Sequence, residues 1–276
     1  MKIDMHLHTN ASDGTWDPQE LLDEIKKNKV DVFAVTDHDT VENITATAEL
    51  AQEMNKKLIK GVEISATYAN KLYHVLAYGI DTTNKSLSEL MENNRRLMQE
   101  KDEESIMAMI NNGWDIDFQD FLEYKNDPGK GGWKALNFLI DKGICKNATD
   151  FFDNVFTEFN KMTYPEFASP QEVISKIVSA GGVSVLAHPG LNLFDTEEIV
   201  DLLDLFYEFG IQGIEVFHPQ HSNHITKTCY QWTKANKVQR TGGSDCHGTF
   251  IAYRRIGLPR FSYEDLYINN ILDKLY

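Results

Sequence analysis

The chain has 276 residues, of which 42% are hydrophobic, so it can form one large α/β domain or two modest ones and is not disordered or fibrous. Its 27 basic and 42 acidic residues give a net charge of -15, which argues against binding long nucleic acid. The three cysteines are not closely paired, no apolar leader is visible, and no apolar run approaches the roughly 20 residues of a membrane span, so we expect a cytoplasmic protein with reduced thiols and no membrane partner.

Short apolar strands alternate with amphipathic helices in the first 80 residues, a pattern that favours a parallel sheet covered by helices. The motif Asp17-Pro18-Gln19-Glu20 predicts the start of the first helix, because it combines an N-cap, a first-turn proline and a reciprocating glutamate. The predicted order is strand, helix, strand, helix, strand and strand, over residues 2–8, 17–29, 30–36, 40–55, 58–64 and 73–78.

The sequence changes character after residue 80. Helical, charged sequence without strand alternation runs from Ser86 to about Glu158, with a glycine-rich break at 128–132. The alternation resumes with a helix capped by Ser169 and with strands at 183–187, 214–217 and 240–243. We therefore predict a barrel built from residues 1–80 and 166–276, and a helical insertion, 81–165, that caps the active site.

Acidic residues and histidines cluster at or just beyond the C-terminal ends of the predicted strands. All nine histidines of the chain lie in or just after these clusters, and the predicted insertion contains none. In a barrel of parallel strands such ends meet at one face, so the sequence predicts a single site that can hold metal ions. The clustered residues are His6, His8, Asp13, Asp37, His38, Asp39, Glu63, His74, His188, His218, Asp245 and His247.

Several neighbouring residues are expected to have other roles. His221 and His224 are expected at a solvated helix start. Cys246 is expected to be a buried thiol that points away from the metals, because side chains alternate along a strand. Carboxylates beside metal-bound histidines commonly accept the second imidazole proton and hold the ring in place, the role expected for Asp4, Asp37 and Asp39.

The order of these motifs resembles that of a known enzyme family. The motifs are Asp4-Met5-His6-Leu7-His8-Thr9, Ser12-Asp13-Gly14, Thr36-Asp37-His38-Asp39, Gly61-Val62-Glu63-Ile64-Ser65, Ala187-His188-Pro189-Gly190 and Gly242-Gly243-Ser244-Asp245-Cys246-His247-Gly248. They resemble the PHP (polymerase and histidinol phosphatase) family, and the insertion is similar to that of PHP phosphoesterases acting on 3′,5′-nucleoside bisphosphates and on 5′ ends of short oligonucleotides. The resemblance implies a distorted (β/α)7 TIM-like barrel.

The resemblance also implies a trinuclear centre of three divalent metal ions at the C-terminal face of the strands. Carried over position by position, the ligands are His6, His8, Glu63 and Asp245 for the first metal, Glu63 as a bridge with His74 and His188 for the second, and Asp13, His38 and His247 for the third. Imidazole and carboxylate ligands without thiolates suit Mn, Fe or Zn.

The expected activity is hydrolysis of a phosphomonoester in a small phosphorylated substrate, such as a 3′,5′-nucleoside bisphosphate or a short oligonucleotide end. Metal ions would activate the attacking water and neutralise developing charge. Two residues are expected to be catalytic. Glu63 would act as the metal bridge, and His218 would contact the phosphate or protonate the leaving oxygen.

The insertion departs from the relatives that act on nucleoside bisphosphates. Those relatives usually carry a Gly-Arg-Pro-His-like stretch where this chain has Gly131-Gly132-Trp133-Lys134, so an arginine and a histidine that help to hold phosphate are absent. Arg95 and Arg96 are expected to bind substrate phosphate instead, and Lys134 could supply part of the missing charge as a point cation.

Two other functions fit parts of the pattern. A C–N hydrolase of the amidohydrolase type also uses His-x-His on its first strand and an aspartate at its last strand, but commonly bridges two metals with a modified lysine where this chain has Glu63. A catalytically silent PHP module that binds a nucleotide would be expected to have lost ligands, and this chain retains all nine positions.

Overall fold

Seven strands form one sheet in chain order within residues 1–191 and 196–274, the part of the chain that the computed structural model describes. The strands are β1 (Ile3–Asp4), β2 (Val32–Val35), β3 (Lys57–Tyr68), β4 (Lys71–Tyr78), β5 (Val183–Leu186), β6 (Gly213–Phe217) and β7 (Gln239–Gly242). The Met5 amide donates to the Gly242 carbonyl at 3.2 Å, and the His8 amide donates to the Cys246 carbonyl at 3.0 Å. These bonds join β7 to β1, so the sheet nearly closes and the predicted barrel is confirmed.

Strand β4 runs opposite to its neighbours, which corrects the prediction of a parallel sheet. It pairs antiparallel with both β3 and β5. A two-residue turn joins β3 to β4, and Ala69 and Asn70 in this turn have positive φ angles of 50° and 62°, the turn geometry that suits twisted hairpins. Because β4 runs in reverse, its first half lies at the face where the other strands end. His74 reaches that face from the beginning of its strand.

Helices cover the outside of the barrel. They are α1 (Pro18–Lys27), α2 (Ile44–Glu53), α7 (Pro170–Ser179), α8 (Thr196–Glu208) and α9 (Asn223–Asn236), with a short α10 (Asn269–Leu272) at the end. The predicted capping box of α1 is present, since the Asp17 carboxylate accepts the Glu20 amide at 2.8 Å and the Glu20 carboxylate accepts the Asp17 amide at 3.0 Å. Leu21 and Ile25 on α1 pack against Phe33 of β2 in one buried cluster.

The predicted insertion is helical and has an apolar core of its own. Its helices are α3 (Lys85–Asn111), α4 (Phe118–Glu123), α5 (Lys134–Asp141) and α6 (Ala148–Asp150). Phe121, Phe138 and Phe151 are buried in this core. The Gly132 amide donates to the Asp13 carbonyl at 2.8 Å, so the glycine-rich stretch lies directly against the loop that carries a predicted ligand. The boundaries at residues 81 and 165 stay a prediction.

None of the helices in the described ranges combines the length and apolar composition that crossing a membrane requires.

The carboxyl group of Asp102 on α3 is buried near the start of α5 and gives the insertion a pH-dependent stability. Burial raises its pKa from 3.8 to about 7, although the Ala135 backbone, the Trp133 side chain and the charge of Lys134 favour the ionised form. The folded chain therefore holds this proton more tightly than the unfolded chain does. The contribution of this group to stability decreases as the pH rises from about 4 to about 7.

The variant Asp102→Asn cannot ionise, so we expect it to be more stable than the wild type at pH 8, with a smaller difference at pH 5. The amide oxygen can still accept the hydrogen bond from Ala135. Urea unfolding of both proteins at the two pH values measures the difference in the free energy of unfolding. A difference that is the same at both pH values would contradict the assignment.

Candidate metal centre

The nine residues predicted as metal ligands meet at the end of the barrel where most of the strands end. The donor atoms form three groups, and within each group all atoms lie within 4.8 Å of one another. The groups are His6, His8, Glu63 and Asp245; His38, Glu63 and His74; and His8, Asp13, His38 and His247. His188 joins them through its Nε2 atom, 2.9 Å from Glu63 Oε1. His188 and Asp245 have positive φ angles of 27° and 50°, conformations that cost energy and are common at functional sites.

Glu63 lies at the centre of the cluster, and its side chain is only 1% exposed. Its Oε2 atom is 3.0 Å from His6 Nε2 and 3.2 Å from His8 Nε2. Its Oε1 atom is 3.2 Å from His74 Nδ1 and also contacts His188. The two oxygens of one carboxylate therefore face two different groups of imidazoles, which is the arrangement that a bridging ligand needs.

The electrostatics of the cluster keep its carboxylates ionised. Burial alone would raise the pKa of Glu63, but the charges of His6, His38 and His74 outweigh this effect and hold its pKa well below the usual range. Burial likewise opposes ionisation of Asp13, whose pKa is also lowered, chiefly by His247 and His38. Each carboxylate can thus offer negative oxygen atoms to a cation.

Several donor nitrogens lie so close together that a metal ion between them would stabilise the arrangement. The Nε2 atoms of His6 and His8 are 3.1 Å apart, and His74 Nδ1 is 3.4 Å from His188 Nε2. Two imidazole nitrogens at such distances repel unless a proton or a cation lies between them. His8 Nδ1 is buried without a hydrogen-bond partner and faces the Asp13 carboxylate at 3.5 Å. Imidazole and carboxylate donors of this kind suit divalent transition metals.

Glu215 on β6 belongs to the site but was missed by the sequence analysis. Its side chain is fully buried, and one oxygen lies 3.0 Å from His6 Nδ1. The other oxygen accepts the backbone amide of His188 at 2.8 Å. Glu215 thus orients the ring of one predicted ligand and the backbone of another. A glutamate within an otherwise apolar buried strand is the sequence signal that could have indicated this role.

Arg254 is a second residue that the sequence analysis missed. It lies in the loop after β7, and its guanidinium contacts Asp245 Oδ2. His218 Nε2 lies 3.0 Å from the same oxygen. The Oδ1 atom of Asp245 instead faces His8 Nε2 at 3.1 Å and His6 Nε2 at 3.3 Å. One oxygen of Asp245 is thus directed into the cluster and the other is held from outside.

The three aspartates predicted to hold imidazole rings bind the backbone and small hydroxyl groups instead, so that prediction was wrong. Asp4 accepts the Ser244 amide at 2.8 Å. Asp37 accepts the Thr9 amide at 2.7 Å and the Ser12 hydroxyl at 2.6 Å. Asp39 accepts the Ser65 hydroxyl at 2.8 Å and the side-chain amide of Asn94 at 2.8 Å. Their role is to fix the loops that carry the ligands.

His221, His224 and Cys246, which were expected to have other roles, lie outside the donor cluster. His224 is exposed at the start of α9, as expected. His221 is only partly exposed and both of its ring nitrogens have protein partners, since Nδ1 contacts the Val216 carbonyl at 2.9 Å and Nε2 accepts the Gly190 amide at 3.1 Å. Burial lowers the pKa of His221 to about 4, which keeps the ring neutral for these two contacts. Cys246 is buried, as expected.

Two cavities adjoin the cluster and share Leu72, His74 and Tyr164 in their walls. The larger has a volume of about 480 Å³ and reaches His188. The smaller, of about 260 Å³, is lined by Asp13, His38, Arg95 and Trp133, among others. The donor cluster is therefore accessible from a cleft that the barrel and the helical region form together.

The three positively charged side chains that were predicted to bind substrate lie in different places. Arg95 lines the smaller cavity, where one of its nitrogens donates to the Asp39 carbonyl. Arg96, one residue later on α3, points elsewhere and pairs with Glu100 at 2.5 Å. Lys134 donates to the Leu122 carbonyl at 3.1 Å and lies over the Phe121 ring. Of these three, the structure brings only Arg95 to the cleft.

Comparison with known proteins supports the resemblance of the motifs to the PHP family. Residues 4–127 match the family model of the PHP domain. The chain is 26% identical over 275 residues to the phosphoribosyl 1,2-cyclic phosphate 1,2-diphosphodiesterase of Eggerthella lenta, and the match covers 92% of this chain and 97% of that protein. It is also 26% identical to the 3′,5′-nucleoside bisphosphate phosphatase of Chromobacterium violaceum, over 92% of this chain and 90% of that protein.

Solved structures share the same architecture. A Bifidobacterium adolescentis protein assigned as a metal-dependent phosphoesterase superimposes with a TM-score of 0.78 at 25% identity, over 99% of this chain and 95% of the other. A Chromobacterium violaceum protein described as an amidohydrolase, solved with bound sulfate, gives a TM-score of 0.85 at 23% identity, over 100% and 98% of the two chains, and supports the fold alone. The resemblance of the motifs to the PHP family is thus confirmed, and residues 4–127 are the part of the chain that the PHP domain model matches.

Proposed function

We propose that this protein is a metal-dependent phosphoesterase that hydrolyses a phosphomonoester of a small phosphorylated substrate, with three divalent metal ions held by the nine predicted ligands. The central observation is the position of Glu63, whose two oxygens contact two separate groups of imidazoles. Relatives named as a diphosphodiesterase and a phosphatase align along nearly the whole chain, which supports phosphate ester chemistry. The rival C–N hydrolase is not favoured by any contact among the described residues.

Different residues of the site would bind the metal ions and the substrate phosphate. When bound, divalent metals activate water and stabilise charge on phosphate oxygens. Glu63 would connect two of the three ligand groups, and Asp13 with His247, 3.2 Å apart, would define the third. Arg95 would bind a phosphate oxygen from the cleft with nitrogens that the Asp39 carbonyl does not occupy.

His218 has contacts that favour positioning Asp245 over donating a proton to the leaving group. Its Nδ1 accepts the Gln220 amide at 3.2 Å, so in a neutral ring the proton lies on Nε2. This proton points to Asp245 Oδ2, 3.0 Å away. The predicted roles of His218 in contacting phosphate or protonating the leaving oxygen stay predictions.

The smaller cavity suits a nucleotide with a planar base. Trp133 and Tyr164 line it, with Leu72, Met98 and Phe167 as further apolar neighbours. Aromatic side chains bind nucleobases of any sequence by stacking. The Chromobacterium violaceum relative carries the name of a nucleoside bisphosphate phosphatase, which agrees with a nucleotide substrate. We therefore favour a small nucleotide or the end of a short oligonucleotide over a simple sugar phosphate.

A metal assay combined with a substrate screen tests the proposed function. The purified protein should contain Mn, Fe or Zn, and with added Mn it should release phosphate from at least one of nucleoside 3′,5′-bisphosphates, mononucleotides, 5′-phosphorylated RNA and sugar phosphates. Hydrolysis of amide substrates alone would point to the C–N hydrolase. Full metal loading without hydrolysis of any ester would point to a silent binding module.

Replacing Trp133 with alanine is expected to raise the KM for a nucleotide substrate about tenfold, because stacking against one base contributes about 1–3 kcal/mol. The KM for ribose 5-phosphate, which has no base, should not change. Steady-state kinetics with both substrates measure the effect. Phe159→Ala serves as the control, because this ring lies in the same helical region but is 74% exposed. An equal effect on both substrates would contradict base stacking.

A further inference from the structure

We propose that Arg254 is a positioning residue that holds Asp245 with a single oxygen directed into the metal centre. This inference rests on the proposed metal site and goes beyond its ligands. Arg254 lies outside the donor cluster, in the loop after β7, and its side chain is only 12% exposed. Two of its guanidinium nitrogens bind two different strand-end loops, through Asp245 after β7 and Gln220 after β6.

The contacts form a closed ring of four residues. Arg254 Nη1 contacts Asp245 Oδ2, and this oxygen also receives His218 Nε2 at 3.0 Å. His218 Nδ1 accepts the Gln220 amide at 3.2 Å. The Gln220 side-chain oxygen accepts Arg254 Nη2 and closes the ring. Each member is thus held by two others, so the outer oxygen of Asp245 is fixed from two directions.

The loop that carries Arg254 is itself anchored to the barrel. The Asp4 carboxylate accepts the Ser244 amide at 2.8 Å with one oxygen and the Gly257 amide at 3.3 Å with the other. One buried side chain therefore binds both ends of the segment that carries Asp245 and Arg254. This arrangement fixes the position of the Arg254 guanidinium in the metal-free protein.

An arginine suits this place because its planar group offers several donors in a fixed geometry. A lysine would bring the same charge, but all its donors lie on one nitrogen atom, so it cannot occupy the two separate positions from which Nη1 and Nη2 contact Asp245 and Gln220. The alternative explanation is electrostatic, in which Arg254 only offsets the negative charge of Asp245. The two explanations predict opposite results for the metal affinity of Arg254 variants.

The test measures the dissociation constant of Mn²⁺ for the metal-free protein by competition with a coloured chelator. If Arg254 positions Asp245, both Arg254→Lys and Arg254→Gln should bind Mn²⁺ about tenfold more weakly, as expected for loss of a residue that orients a ligand. Gln220→Ala should show part of this loss, because it removes the acceptor of Arg254 Nη2 and leaves the positive charge of Arg254 in place. Arg255→Gln is the control, since this side chain is exposed and contacts only the Ala252 carbonyl among the described residues.

An Arg254→Lys variant with wild-type affinity, together with an Arg254→Gln variant that binds more tightly, would show a charge effect and overturn the positioning role. Gln220→Ala, which leaves the arginine in place, provides the test if either Arg254 variant fails to fold, and unchanged affinity in it would also overturn the proposal. Wild-type protein that binds none of Mn²⁺, Zn²⁺ or Fe²⁺ would refute the proposed function itself, an outcome distinct from an effect limited to the variants.

Discussion

Glu63→Gln is expected to reduce turnover of the best phosphoester about a thousandfold. An amide keeps the shape of the side chain but has one oxygen and no charge, so it cannot connect the two groups of imidazoles that the carboxylate contacts. Metal ions contribute several kcal/mol of transition-state stabilisation, and about 4 kcal/mol corresponds to a thousandfold in rate. The loss should appear in kcat at saturating substrate and in the number of metal ions bound per chain.

Metal analysis and phosphate release measured on the same preparation would check this expectation. Glu49→Gln is a matched control, because it makes the same chemical change at an exposed position on α2. Thermal unfolding of the metal-free proteins would show whether the fold is retained. A Glu63→Gln enzyme with undiminished turnover would refute the bridging role.

The barrel and the donor cluster were largely predictable because both follow from local patterns. Apolar strands ended at acids and histidines, and a barrel brings such ends together whatever their separation along the chain. The direction of β4 was not predictable in this way. The turn at Ala69 and Asn70 lacks the glycine that commonly marks a two-residue hairpin, so the alternation of apolar residues gave the strand but not its direction.

The residues that support the ligands were harder to predict, because their partners are distant in sequence. Asp4 was expected to hold an imidazole since it lies near His6, yet within the described residues it accepts the backbone amides of His6, Ser244 and Gly257 and no ring nitrogen. The residue that does contact the His6 ring is Glu215, more than 200 positions later in the chain. Proximity in sequence was a poor guide to which carboxylate faces which ring.

Which of the predicted substrate-binding residues face the cleft was partly predictable from helix geometry. Consecutive residues on a helix point about 100° apart, so Arg95 and Arg96 leave α3 in different directions, and Arg95 is the one of the two that lines the cleft. Asn94 is buried and Met98 lines the smaller cavity, which identifies the face of α3 that Arg95 shares. The position of Lys134 depended on the packing of α5 against α4, for which the sequence offered no local signal.

Glu215→Gln is expected to weaken Mn²⁺ binding by 10- to 100-fold, about the cost of losing a group that orients a metal ligand. Burial opposes ionisation of Glu215, but the charge of His6 and its hydrogen bond lower the pKa, so the group is a carboxylate in the folded protein. Its two oxygens accept His6 Nδ1 and the His188 amide. Glutamine has one oxygen for these two donors. Its NH2 group must therefore face the donor that the oxygen does not accept.

The fold should survive this substitution at a cost of about 1–3 kcal/mol, the usual penalty for a buried donor without an acceptor. Chelator competition would give the Mn²⁺ affinity, and urea unfolding of the metal-free protein would give the free energy of unfolding. Glu208→Gln, at the exposed end of α8, is the matched control. If Glu215→Gln bound Mn²⁺ within twofold of the wild type, the contact with His6 would not set the orientation of that ring, and the metal affinity would have to come from the nine ligands without help from β6.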